Sequence, residues 1–325
     1  MRTVLAYAIF LVLFSTNVWA AGLENAVSFD ADGINAVQTN TIRPGANGDA
    51  VVRAQVLLAR AHFSCGQVDG DYGTNLEKTV AAFQRSQNLP ANGTIGADTW
   101  NILNQDKAPV LVTYTITPED EEGPFVRVPS DMMEQAKLSY LGYASPSDEL
   151  SEKFHESPVL LEALNRGKDF SKAGEELLVV NAITQPPAEA ASVVVSKSDS
   201  SVTALDSQGK ILAYYVATVG SEHDPLPIGV WKIVGVARNP VYHYNPSLFW
   251  DANPHDAQAV IQAGPRNPVG VVWMDLSKEH YGIHGTPDPS AIGHSASHGC
   301  IRLTNWDAWQ LAGMVKPGTP AILQQ

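Results

Sequence analysis

Cysteine is nearly missing from this chain: 325 residues include two, Cys65 and Cys300. So few, so far apart, exclude the disulfide framework that holds many small exported domains together. Basic residues are also scarce, 21 Lys and Arg against 34 Asp and Glu, for a formal net charge of -13. Nucleic acid and anionic membrane surfaces are therefore excluded as partners, because phosphate binding needs clustered positive charge and no basic patch is present. Long apolar runs are confined to one place. Arg2 precedes an apolar run over Val4–Phe14, followed by Val18-Trp19-Ala20 with small residues where a signal peptidase reads. About 11 apolar residues are too few to cross a bilayer. Charged start, short apolar run and small-residue exit instead describe a secretory signal, residues 1–20, cut after Ala20. The expectation is an exported protein of the periplasm or cell wall, with no stable membrane span after cleavage.

What is present divides into segments, and the length leaves room for two or three domains. Residues 21–44 are small, polar and aperiodic, a flexible lead-in. From Asp49, Val52, Val56, Ala59 and Phe63 fall on one helical face, ending near Cys65-Gly66. A Gly-rich turn over Val68–Gly73 follows. Thr74 with Glu77 then reads as a capping box for a second helix striped by Leu76, Val80 and Phe83. A second turn, Asn92–Gly96, leads to a third helix carrying Trp100 and Leu103. The two turn-plus-helix units echo each other, so residues 45–105 read as a compact three-helix domain. The series Asp69-Gly70, Tyr72-Gly73, Phe83-Gln84, Asn92-Gly93 and Thr99-Trp100 resembles the peptidoglycan-binding domain type 1 family. Phe83 and Trp100 read as core residues, and glycan binding by the exposed turns is what the resemblance implies.

Residues 106–137 read as an acidic, Pro-containing linker. Residues 138–182 read as helix, helix and strand, a small α/β unit that faintly resembles a LysM carbohydrate-binding module without its Gly-Asp-Thr start; a plain spacer is the other reading. From residue 190 to 325 the pattern turns to β. Val193–Val195, Ser201–Leu205, Ile211–Val219, Val230–Val236 and Val271–Leu276 are β-rich runs separated by Gly, Asp and Pro turns. The stretch 240–270 is long and rich in Pro and aromatics, the composition of a binding loop or lid. A helix from Asn305 to Val315 closes the chain. The fold class expected is thus multidomain α+β: a helical N-terminal domain, a small α/β unit and a mostly β C-terminal domain.

The chemistry concentrates near the C-terminus, in His284-Gly285-Thr286 and Ser297-His298-Gly299-Cys300-Ile301-Arg302. Cys300 is a candidate nucleophile, since the thiolate is the reactive form and nearby imidazoles can take its proton. His284 and His298 compete to be that base, one remote in sequence and one two residues away. The backbone around His298, Gly299 and Cys300 can supply an oxyanion site, a glycine making the turn possible. Arg302 can grip a substrate carboxylate through its planar fork or serve in a structural ion pair. His294 reads as solvent-exposed. A zinc site from His284, His294, His298 and Cys300 is disfavoured because His-x-Cys is not a usual ligand spacing. A papain-like arrangement is disfavoured because there the Cys precedes the His. Cys300 is therefore expected free, with Cys65 a small buried apolar residue.

Residues 190–325 resemble the YkuD-type catalytic domain of L,D-transpeptidases. The matching blocks are Pro225-x-Pro227-x-Gly229, Gly264-Pro265-Arg266-Asn267-Pro268, Ile283–Thr286 and Ser297–Arg302. The resemblance implies that Cys300 is the nucleophile, that His284 donates and accepts the proton, and that the Gly285 carbonyl orients the His284 ring. It leaves His298 and Gly299 to the oxyanion or substrate. Arg302, Thr286, Ser297, Asn267 and Tyr244, the last in the long aromatic loop, are substrate-binding candidates. No cofactor and no metal are expected. The implied partners are peptidoglycan stem peptides and glycan. The acyl acceptor is another stem, a lipoprotein, a free D-amino acid or water. Such thiol chemistry should tolerate penicillins and be open to acylation by carbapenems.

Overall fold

The computed structural model describes residues 29–325, so the expected signal sequence and the first eight residues of the lead-in lie outside the described residues. The rest of the lead-in is not wholly irregular: Ala31–Asn35 forms a helix that buries Ile34. Helices Asp49–Arg60, Thr74–Ser86 and Ala97–Leu103 bury Val51, Leu58, Leu76, Val80, Phe83 and Trp100 against one another. The first helix is apolar on two sides. Val52 and Val56 face away from that core into a second one with Leu111, Leu150, Leu160 and Val179. Two sequence expectations fail locally. The first helix ends at Arg60, and Phe63 belongs to a strand, β1 (Phe63–Ser64). The capping box is absent: Gly73 is the N-cap and Thr74 already lies within the helix. The two sequence turns are held alike. Gln55 Oε1 accepts from the N–H groups of Asp69 and Gly70 at 3.1 and 2.9 Å, and Gln84 Oε1 from that of Gly93 at 3.1 Å.

The stretch expected as a linker is not structureless. It contributes β2 (Leu111–Thr115), which pairs antiparallel with β3 (Glu176–Val180). Between them lie four helices, the short Pro118–Glu122 and Met132–Gln135 and then Pro146–Lys153 and Pro158–Leu164, the last two each with Pro at its first position and a serine cap, Ser145 and Ser157. Leu150, Leu160 and Leu161 pack on Leu177 and Val179. The two strands and the two longer helices form a strand–helix–helix–strand unit whose first strand precedes residue 138. An isolated five-residue strand has too little periodicity of its own to show in the sequence.

The C-terminal part builds one curved sheet from β4 (Ser192–Ser196), β5 (Ser201–Leu205), β6 (Ile211–Val216), β7 (Gly229–Arg238), β10 (Val272–Leu276), β11 (Gly282–His284), β12 (Ile301–Arg302) and β13 (Pro320–Gln324). A separate ribbon pairs β8 (Tyr242–Tyr244) with β9 (Ala259–Ile261). Strand order in the large sheet is β1-β6-β5-β4-β13-β7-β10-β11-β12. β7 has ten residues, long enough to serve two neighbours. Its Gly229–Lys232 half pairs with β13 and its Ile233–Arg238 half with β10. Val193, Val202, Ile233, Met274, Ile283, Ile301 and Leu323 meet in the main core, covered by helix Asn305–Ala312 through Ala308 and Leu311.

The three parts share surfaces. β1 of the helical part is the edge strand of the large sheet, parallel to β6, and Phe63 stacks on Tyr214. Tyr214, Val216 and Ile292 of the β part complete the helical core. The strand–helix–helix–strand unit is joined to the β part by Arg266, which pairs with Asp148 and Glu152, and by the His155 ring on Trp306, 9° from parallel at 5.0 Å.

Candidate active site

β11 and β12 run parallel with Ile283 opposite Ile301 and His284 opposite Arg302. Both isoleucines are fully buried in the main core. Side chains alternate along a strand, so His284 and Arg302 turn to the opposite face. Cys300 immediately precedes β12, and the Arg302 charge acts on both the Cys300 thiol and the His284 ring. The far side of the Cys300 segment is pinned by Thr218, which exchanges backbone hydrogen bonds of 2.9 and 2.8 Å with Arg302. Ser297 N–H donates to the Val219 carbonyl, and Ser297 Oγ donates to the Cys300 carbonyl. Gly299 has φ of 97°, and a Cβ there would lie 2.7 Å from the Tyr281 ring. No other residue type fits that turn without displacing the ring. Among the described residues, the N–H groups of His298, Gly299 and Cys300 donate to no turn or loop carbonyl.

His284 is buried, its ring against Trp273 with centroids 5.3 Å apart. Its Nδ1 lies 2.7 Å from the Gly285 carbonyl. A carbonyl only accepts, so Nδ1 carries the proton and Nε2 keeps its lone pair. Burial first, and the Arg302 charge second, push the imidazole down to about 3, against the opposing pull of the Gly285 carbonyl. Burial also raises the Cys300 thiol, opposed by a hydrogen bond from the Gly282 backbone and by Arg302. The resting site is a neutral thiol beside a neutral imidazole, with Cys300 Sγ donating to the His280 carbonyl at 3.7 Å. Arg302 is partly buried, and no carboxylate pairs with it among the described residues.

His298 points elsewhere. Its Nε2 lies 2.9 Å from Asp251 and its ring stands edge-on to Phe249. It ties the long aromatic loop to the cysteine segment. His294 is exposed, near Asn75 of the helical part. The four side chains weighed as zinc ligands thus face different neighbours. Both cysteines are unpaired.

Residues 190–323 match the YkuD family, described as the L,D-transpeptidase catalytic domain, and residues 47–103 match a family described as "Putative peptidoglycan binding domain". Residues 190–323 are a YkuD-type L,D-transpeptidase catalytic domain. Among curated relatives, the chain is 53% identical over 58 residues to "Putative L,D-transpeptidase YkuD" of Bacillus licheniformis, covering 18% of this chain and 35% of that protein. It is 47% identical over 64 residues to its namesake in Bacillus subtilis, covering 20% and 39%. The matched stretch therefore spans little more than a third of either relative. Among solved structures, an L,D-transpeptidase of Xylanimonas cellulosilytica is similar at 16% identity and a TM-score of 0.37, over 88% of this chain and 98% of that one.

The remaining candidates in the transpeptidase domain are held by bonds of their own. Thr286 is buried, its Oγ1 bonded to the Asp288 backbone, and its N–H donates to Asn305 Oδ1. Asn267 is fully buried, donating to the Gln262 carbonyl and accepting from the Val269 N–H. Tyr244 is buried with Leu141 and Ile261, its hydroxyl on Asp256. Asn267 and Tyr244 thus shape loops beside the site, a correction to their reading as ligands: neither offers a free polar atom. Sequence reasoning missed Trp273, Tyr281 and Tyr242 around Cys300 and His284, and Asn305 behind them. None lies in a catalytic-looking pattern. Only Asn305, three residues beyond Arg302 at the head of a helix, had a sequence position that could have drawn notice.

Proposed function

We propose that the protein is an exported cysteine L,D-transpeptidase acting on peptidoglycan tetrapeptide stems. The observation that carries this reading is the His284 ring, fixed through Nδ1 on the Gly285 carbonyl and set on the face of Arg302, whose charge acts on both the ring and the Cys300 thiol. The Cys300 proton passes to His284 Nε2 as sulfur bonds to the carbonyl on the L-centre of the third-position diamino acid. The N–H groups of His298, Gly299 and Cys300 receive the oxyanion. Collapse breaks the bond to D-alanine, whose amine leaves with the proton from the imidazolium. An acceptor amine then displaces sulfur and regenerates the thiol. With a stem diamino acid as acceptor the product is a 3→3 cross-link. Arg302, with no carboxylate partner among the described residues, holds the substrate carboxylate. Because burial leaves both catalytic groups neutral, proton transfer accompanies attack instead of preceding it.

Residues 45–105 serve in this reading to hold the enzyme to the wall. The strand–helix–helix–strand unit supports a LysM-like glycan contact in place of a plain spacer. Incubation with disaccharide-tetrapeptide should release D-alanine and leave an acyl group on Cys300, visible by intact mass. Undiminished release by Cys300→Ala, or no acyl-enzyme on the unsubstituted protein, would overturn the reading. Release into water alone identifies a carboxypeptidase, and wall binding without release identifies a non-catalytic wall protein.

A further inference from the structure

Behind His284 runs a line of hydrogen bonds that ends on a carboxylate of a different part of the chain. The Gly285 carbonyl that accepts from His284 Nδ1 belongs to the same peptide group as the Thr286 N–H. That N–H donates to Asn305 Oδ1 at 3.1 Å, as does the N–H of Val271. The other end of the Asn305 carboxamide, Nδ2, donates to Glu152 Oε1 at 2.8 Å and to the Pro265 carbonyl at 3.1 Å. Glu152 sits on helix Pro146–Lys153 of the strand–helix–helix–strand unit and is 7% exposed. Its Oε2 accepts from Arg266 Nη1 at 2.6 Å, and Tyr143 donates to Oε1 at 3.2 Å.

The carboxamide is seated in a fitted cradle. A Cβ on Gly270, where φ is 63°, would lie 2.0 Å from Asn305 Oδ1, and one on Gly285 would lie 2.2 Å from it. Two glycines therefore make room for this one side chain. Asn305 itself is 3% exposed, and every one of its polar atoms is bonded. The dipoles point one way: carboxylate, amide, peptide, imidazole. Chains of aligned hydrogen bonds polarise one another in a low-dielectric interior.

We infer that Glu152, acting through Asn305 and the 285–286 peptide, is a positioning residue for His284, so that the accessory unit completes the catalytic apparatus. It plays the orienting part that a carboxylate in direct contact plays in a Ser-His-Asp triad, two hydrogen-bonded groups further away. When the Cys300 proton moves to Nε2, the positive charge created on the ring is stabilised along this line. No other reactant is needed. The inference rests on His284 being the base of the proposed reaction, and its test is chosen so that the two can fail separately.

The test reads two properties that need no substrate: the His284 tautomer by ¹⁵N NMR, and the alkylation rate of Cys300 by iodoacetamide from pH 6 to 9. In the unsubstituted protein Nδ1 carries the proton. Asn305→Ala and Glu152→Ala should mix the tautomers and slow alkylation about tenfold at pH 7. Glu152→Gln, which keeps an oxygen for Asn305 but no charge, should hold the tautomer while slowing alkylation less. Asp148→Ala breaks the Arg266 pair without touching the line and should change melting temperature but neither readout. An unchanged tautomer in both alanine variants, or an equal loss in Asp148→Ala, overturns the inference. Should Glu152→Ala not fold, a Glu152→Gln alkylation rate equal to the parent overturns it instead. If these readouts respond as stated while no D-alanine is released from muropeptide, the functional reading falls and the positioning line stands.

Discussion

His284 and Gly285 are joined by ring and carbonyl, Nδ1 to O at 2.7 Å, although they are neighbours in sequence. The bond folds the imidazole back on its own strand and decides which nitrogen is basic. His298, the closer histidine to Cys300 in sequence, is instead engaged by Asp251 at 2.9 Å. The two histidines should therefore separate cleanly on substitution. His284→Gln should lower the rate of acyl-enzyme formation by about 10²–10⁴, the range of a lost general base. His298→Gln should cost less than about tenfold, the scale of one exposed ion pair. Stopped-flow acylation of both variants checks this, and a larger loss at His298 would reassign the base.

Gly299 makes a sharper steric test. Alanine there meets the Tyr281 ring at 2.7 Å and keeps a positive φ of 97°. The left-handed conformation alone costs about 1–2 kcal/mol. Because the adjoining N–H groups and Sγ move with it, Gly299→Ala should lower turnover by about 10²-fold, the effect of a 1 Å misplacement. Melting temperature should fall by only a few degrees. Turnover within twofold of the parent would mean that the turn does not set the reactive geometry.

Acid should destabilise the fold through its buried histidines. His284 and His155 are both pushed down to about 3, in each case chiefly by burial. In the unfolded chain an imidazole titrates near 6.5. Between those values the unfolded chain binds more protons, so the stabilisation is complete above about pH 6.5 and is lost as pH falls toward 3. His155 has φ of 65°, which asparagine tolerates. His155→Asn should lower the melting temperature at pH 7.5, through loss of the Trp306 stack, yet shrink the further drop between pH 7 and pH 5. An unaltered pH slope would contradict this.

Glu156 works in the opposite direction. It is fully buried, neither carboxylate oxygen has a hydrogen-bond partner among the described residues, and only the Val180 backbone amide approaches it. Burial holds it protonated well above the usual carboxylate range. The folded state here binds the extra proton, so stability is full below about pH 4.5, the ordinary glutamate range, and declines as pH rises toward its folded value. Glu156→Gln should gain more in melting temperature at pH 8 than at pH 4.5. Equal gains at both would show that the proton is not the cause.

The helical part should not come away freely. Phe63 stacks on Tyr214 with centroids 6.3 Å apart and meets Phe83 edge-on at 5.3 Å. Phe63→Ala should cost about 3–5 kcal/mol by the usual cavity cost, read by urea unfolding. Deleting residues 45–105 would open the β6 edge and uncover Tyr214, Val216 and Ile292. The truncated protein should aggregate or melt at lower temperature, and intact stability would show that β1 is dispensable.

The sequence by itself determined the periodic and the locally encoded. Stripes such as Leu76, Val80 and Phe83 placed the helices, β-branched runs such as Val193–Val195 placed strands, and Ser297–Arg302 with His284 marked the chemistry. Each of those signals is carried by neighbours within a few residues. The strand in the expected linker, the joining of β1 to β6, and the bonding of Tyr244 to Asp256 and of Asn267 to Gln262 carry no such signal. Strand pairing is decided by partners remote in sequence, 61 to 69 residues apart for β2 and β3 and 151 for β1 and β6. The preference for His284 as base was legible only as a family pattern. The features that support it, a carbonyl on one nitrogen of His284 and a register that sets the ring on the face of Arg302, exist only once β11 and β12 are paired. Glu152 was invisible for the same reason: 153 residues separate it from the asparagine that gives it a role.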